Sequence, residues 1–108
     1  MLKKENRLTS FRQSESRNVP TPLFNLKISK NNSEFSRFGF VISKKVSSSA
    51  VVRNSAKRKI RSIIEENLSH VPAGFDLAFY LKKEIISAER LSVGVELIKI
   101  MKKESLYV

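Results

Sequence analysis

Arg53, Lys57 and Arg61 stand at intervals of four, which on a helix stacks three positive charges in one row. Like charges at that spacing destabilise an isolated helix by about 0.2–0.5 kcal/mol per pair, so the row needs a reason outside the helix itself. A phosphate backbone supplies one: arginine forks onto a phosphate through two donors, and lysine meets it as a mobile point charge. Asn54 shares this exposed arc, and its amide can both donate and accept toward a base edge or a ribose hydroxyl. The thirty residues between Glu34 and Glu65 contain no acid and eight bases: Arg37, Lys44, Lys45, Arg53, Lys57, Arg58, Lys59 and Arg61. A face serving only solubility would mix signs. If four to six of these groups meet phosphates, log K falls against log salt with a slope of about 3 to 5.

The rest of the composition narrows the partner. The formal charge is +11 over 108 residues, beyond the roughly 2 to 8 that keeps a small domain soluble. Such a field attracts polyanions: RNA, DNA or an anionic membrane. No apolar run reaches signal-peptide or spanning length, so a cytoplasmic protein with no membrane partner is expected. The chain has no cysteine, which removes disulfides, thiolate metal sites and a cysteine nucleophile.

No catalytic constellation stands out. His70 is the sole histidine and, beside Val71 and Pro72, reads as a cap or surface residue. Asp76 is isolated in a strand, and Glu65 and Glu66 offset the basic stretch. Two-metal hydrolysis needs converging carboxylates. No catalytic and no metal-binding residue is therefore assigned, and any chemistry has to come from a partner.

The elements that position the basic row follow from periodicity. Residues 23–29 alternate with Phe24, Leu26 and Ile28 on one face; residues 37–45 alternate with Phe38, Phe40 and Ile42, and Gly39 leaves the other face bare for a close approach. These two strands are expected to pair antiparallel through the loop between them. Serines 47–49 offer caps for a helix over 50–68, with Val52, Ala56, Ile60, Ile63 and Ile64 on one arc and Asn54, Lys57, Arg58 and Arg61 opposite, Arg53 at the edge. Residues 75–81 form a third strand with Phe75, Leu77, Phe79 and Leu81 in phase. Ser87 caps a final helix to about Ile100, with an apolar stripe of Leu91, Val95, Ile98 and Met101; Gly94 costs it about 1 kcal/mol relative to alanine.

Residues 1–19 read as a short, partly helical or flexible segment in which Leu8 and Phe11 anchor one helical turn, and Pro20 and Pro22 impose extension. Together the elements describe one RNA-binding domain over 1–108: α+β, a two-layer sandwich with a small, mostly antiparallel sheet and packed helices. Most phenylalanines fall in strand phase and belong to the core. Phe11 and Tyr80 lie outside those sets and are candidates to stack on bases.

The stretches RFGFVISKKV (37–46), AVVRNSAKRKIR (50–61) and GFDLAF (74–79), with NRL near the start and PLF at 22–24, resemble the protein subunit of bacterial ribonuclease P. The resemblance covers most of the chain and rests on a glycine-bearing strand ending in SKK followed by an AVVRN-x-x-KR helix. It implies a left-handed β-α-β crossover, which no hydrophobic pattern could show. It also implies a division of labour. A catalytic RNA performs the magnesium-dependent hydrolysis that leaves the mature 5′ end of tRNA, and the protein, inactive alone, binds that RNA and the 5′ leader of precursor tRNA.

On the same basis Lys44, Lys45, Arg53, Asn54, Lys57, Arg58 and Arg61 match the RNA-binding segment. Phe11 matches an aromatic of the leader cleft, and Lys27 stands where members often carry a strand tyrosine; Tyr80 joins them as a leader candidate. Magnesium is expected mainly on the RNA subunit and substrate, with no organic cofactor. The chain departs from the family pattern at Ser55, in place of an arginine, and in a shortened segment between Leu8 and Phe24. A structural or ribosome-associated RNA binder without a role in cleavage would carry the same helix, whereas an independent nuclease would need the carboxylate cluster that is missing.

Overall fold

A computed structural model of the chain describes residues 2–8 and 16–108. Four strands, β1 (Arg17–Pro20), β2 (Phe24–Lys30), β3 (Arg37–Val41) and β4 (Phe75–Leu81), form one sheet in the order β1-β2-β4-β3. Three α-helices, α1 (Ala50–Glu66), α2 (Glu84–Ser87) and α3 (Arg90–Lys103), complete the α+β layering. β2 is antiparallel to β1 and β4, while β3 runs parallel to β4 and reaches it through α1.

Register explains the core. Leu26 and Phe40 flank Phe79 on the two neighbouring strands, and Ile28 and Phe38 flank Leu77, so the in-phase residues of β2, β3 and β4 share one face. Ala56, Ile60 and Ile64 of α1 and Val93, Leu97 and Met101 of α3 are buried in the same cluster. Phe24 meets Phe79 edge to face at 5.4 Å, and Phe40 stacks on Phe79 at 5.5 Å.

Several expectations from the sequence are corrected. β2 and β3 do not pair, because β4 lies between them. The connecting loop crosses the start of β4 and is fastened to it: Asn31 N–H donates to the Gly74 carbonyl, Ser36 Oγ donates to the Pro72 carbonyl, and Phe75 N–H donates to Ser36 Oγ. Asp76, also at that start, accepts from Asn31 Nδ2 and from two nitrogens of Arg37 at 2.8 Å. These bonds and the carboxylate charge hold the Arg37 guanidinium above its ordinary pKa.

β3 ends at Val41 rather than Lys45, and α1 ends at Glu66, followed by a 3₁₀ turn over Leu68–His70. Ser87 ends the unexpected α2 instead of capping α3, whose N-cap is Glu89 without a side-chain bond. The buried stripe of α3 is Val93, Leu97, Ile100 and Met101, so of the expected set only Met101 faces the core; Leu91 and Val95 are exposed. α3 is apolar on two faces, each at helical spacing, and the period alone does not choose between them.

The N-terminal segment is not simply helical. β1 went unread because only Val19 of its four residues packs on the core, and its Arg17 and Pro20 suit an edge. Lys4–Asn6 makes a 3₁₀ turn, Leu2 is buried, and Arg7 bridges in parallel to Phe38 with Leu8 N–H donating to the Phe38 carbonyl. Leu8 thus joins the edge of β3 instead of starting a helical turn, and its expected partner Phe11 lies outside the described residues. The bareness of Gly39 is used: a Cβ there would meet the Leu8 Cβ at 3.3 Å.

Candidate nucleic-acid interface

Helix α1 is anchored before it is charged. Ser49 Oγ accepts from the Val52 N–H as N-cap, and the Ala56, Ile60, Ile63 and Ile64 side chains fix the helix rotation by burial. That rotation leaves Asn54 and Arg58 exposed and Arg53, Lys57 and Arg61 half-buried along their stems. The basic row is therefore carried by an ordered element whose reverse side is held in the core.

Two of its members are further positioned. Arg53 Nη1 donates to the Ser47 carbonyl at 2.8 Å, tying the helix to the turn that presents exposed Lys44 and Lys45. The Arg61 guanidinium lies 5.5 Å from the Phe40 ring, which itself rests on Phe79. Arg61 is thereby braced through two rings to the centre of the sheet.

The other two bases of the acid-free stretch do different work. Arg37 is held by Asp76, and Lys59 Nζ donates to the carbonyls of Ile85, Ile86 and Ala88 at 3.0, 3.3 and 2.7 Å. Lys59 secures α2 against α1. Of the six other bases, Lys44, Lys45 and Arg58 are exposed and Arg53, Lys57 and Arg61 half-buried; the ion pairs Arg17–Glu104, Arg37–Asp76 and Arg90–Glu66 involve none of them.

Beside Arg61 opens a cleft of about 420 Å³ lined by Leu2, Arg7, Leu8, Phe38, Gly39 and Phe40. Arg7 and Arg61 supply its positive charge. Sequence reasoning missed this grouping, because Phe38 and Phe40 read as core and Arg7 fell in the partly helical or flexible N-terminal segment; the bare Gly39 was the available signal. The leader candidates do not converge here. Lys27 and Tyr80 form a cation–π pair at 5.0 Å on β2 and β4, in phase opposite to the core residues and so on the sheet face away from α1. Phe11 lies outside the described residues.

No three His, Asp or Glu side chains converge among the described residues. His70 Nδ1 is 2.8 Å from the Val108 carbonyl and its ring stacks on Tyr107 at 4.7 Å, so it clasps the C-terminal residues to the end of α1. Among the described residues, no helix is long and apolar enough to cross a membrane.

Comparison with known proteins places this geometry. The family model described as Ribonuclease P matches residues 2–105. The ribonuclease P protein component of Microcystis aeruginosa is 60% identical over 40 residues, 37% of this chain and 33% of that protein. The same component of Thermotoga petrophila is 32% identical over 78 residues, 72% and 64% of the two chains. These matches span one third to just under two thirds of the relatives' lengths. Among solved structures, the ribonuclease P protein of Thermotoga maritima superposes with a TM-score of 0.75 at 27% identity, over 82% of this chain and 84% of that one. With the family model matching residues 2–105 and the fold shared with a solved ribonuclease P protein, the chain belongs to the bacterial ribonuclease P protein family.

Proposed function

We propose that the chain is the protein subunit of a ribonuclease P, acting in the cytoplasm as one RNA-binding domain within a ribonucleoprotein endonuclease that matures the 5′ end of tRNA. The observation that carries this reading is the one-sided charge of α1: Arg53, Lys57, Arg58 and Arg61 face outward over a buried apolar reverse side, with Lys44 and Lys45 at its leading end. In this reading those side chains and Asn54 grip the catalytic RNA. Rigid placement matters because a preset cation loses less freedom on meeting a phosphate than a mobile one.

The 5′ leader of precursor tRNA is assigned to the protein as well. The cleft at Arg7, Phe40 and Arg61 offers charge over aromatic and aliphatic walls, and Lys27 with Tyr80, together with Phe11, remains the second candidate set. Hydrolysis belongs to the RNA subunit and its magnesium, which supplies the Lewis-acid and charge-neutralising chemistry on phosphate. The contribution of this chain is to lower the electrostatic cost of bringing two polyanions together.

Reconstitution tests the proposal. Added to the RNA subunit, the protein should raise precursor cleavage at low magnesium, more for a leader-bearing substrate than for one with a single leader nucleotide. The protein alone should cleave nothing. RNA binding without any gain in cleavage would favour the structural RNA-binding role.

A further inference from the structure

We propose that the groove between α1 and α3 docks an acid-flanked amphipathic helix of a second protein. Leu91, Val95 and Ile98 follow one another at intervals of four and three along the outer side of α3, with Leu91 76% and Val95 62% exposed. With Ile63 of α1 they line a depression of about 570 Å³ whose floor is at Gly94. An apolar patch arranged along a groove, rather than scattered, marks an interaction surface.

The floor is open without structural need. A Cβ on Gly94 would meet the nearest atom, Ile63 Cδ1, at 3.8 Å, an ordinary contact, and alanine is the better helix former. Glycine here weakens α3 and leaves room for a visiting side chain. From Leu91 to Lys102 the groove runs about 16 Å along α3, three turns, the span that a short helix fills with anchors at i, i+4 and i+7.

Charge selects the occupant. The rim carries Arg90, Lys99 and Lys102, with Glu66 its sole acid and held by Arg90 at 2.6 Å. A second copy of this chain, itself at +11, would bring the same basic rim against it. The lining has no aromatic ring on which a base could stack. A helix with leucines on one side and glutamates beside them satisfies both floor and rim. Ile63 lies about 120–180° around α1 from Asn54, Lys57, Arg58 and Arg61, and Arg53, about 80° around, stands about 15 Å nearer the helix N-terminus, so the groove stays open while the basic face holds RNA.

The test is a fluorescence-anisotropy titration of the full chain with a labelled peptide of about four helical turns, leucines on one face and glutamates on either side. Saturable binding is expected, weakened about tenfold or more by Leu91→Ser with Val95→Ser, and about threefold or more by Lys99→Glu with Lys102→Glu, the second loss shrinking as salt rises. Both variants should melt like the parent, because these side chains are exposed; the serine pair, which changes no charge, should also keep the parent's affinity for RNA. Equal binding of a lysine-flanked peptide would overturn the proposal, as would indifference to the serine pair. Anionic vesicles binding through Leu91 and Val95 with no peptide binding, or the chain dimerising through them in sedimentation, would assign the groove to a membrane or a second copy instead.

Discussion

Glutamine at Arg53, Lys57 and Arg61 together lowers affinity for the catalytic RNA by about 100-fold at about 0.15 M salt, and reduces the salt slope by about 2 to 3. Each neutralised phosphate contributes roughly 0.7 to 0.9 to that slope, or about 0.6 to 0.7 log units at this salt, and three contacts sum to about two log units. Filter-binding titrations across a salt series check both numbers at once. Lys59→Gln is the matched control. It removes one charge from the same helix, but its ammonium donates to three carbonyls around α2 rather than facing outward. It should cost about 1–3 kcal/mol of stability by leaving those carbonyls short of a donor, while the salt slope stays as it was.

Phe79→Ala is expected to cost about 3–5 kcal/mol in denaturant unfolding, a large share of the stability of a domain this size. Phe79 is fully buried on the central strand, with Phe24 against its edge and Phe40 stacked on its face. The effect reaches the interface, since Phe40 in turn supports Arg61. Phe79→Leu keeps an apolar branched side chain of most of the volume and should cost less than the alanine variant. With that milder variant the chain stays folded, and any loss of RNA affinity reports the bracing of Arg61 rather than collapse of the core.

The basic helix was legible because its two periodic signals agree: apolar residues from Val52 to Ile64 define one arc and the bases fill the other. β2 and β4 were legible for the same reason at period two. Lys59 was also readable in principle, since it sits about 40° from Ile63 on the helical wheel, nearer the apolar arc than the basic one. Counting charge along the chain hid that.

What the chain did not disclose depends on tertiary choice. Strand order is set by which edges meet. The loop after β2 is short enough for a hairpin, yet its polar groups serve the start of β4, and that strand takes the centre. α3 has two apolar faces, so Val93 and Leu97 could replace Val95 and Ile98 inside without breaking the period. The cleft at Arg61 was hidden because Arg7 reaches it only once Leu8 bonds to the edge of β3. The leader candidates came from resemblance and residue type, and Lys27 and Tyr80 stand on the sheet face opposite α1.

The most direct test of phosphate neutralisation by α1 is site-specific photocrosslinking of the full chain to the catalytic RNA, with a leader-bearing precursor tRNA present. Probes at Asn54 and Arg58 on the exposed face should crosslink to the catalytic RNA, while a probe at Lys99, in the groove on the reverse side of α1, should not. Crosslinks confined to Lys99, or an α1 face that stays unprotected in an active complex, would contradict the account.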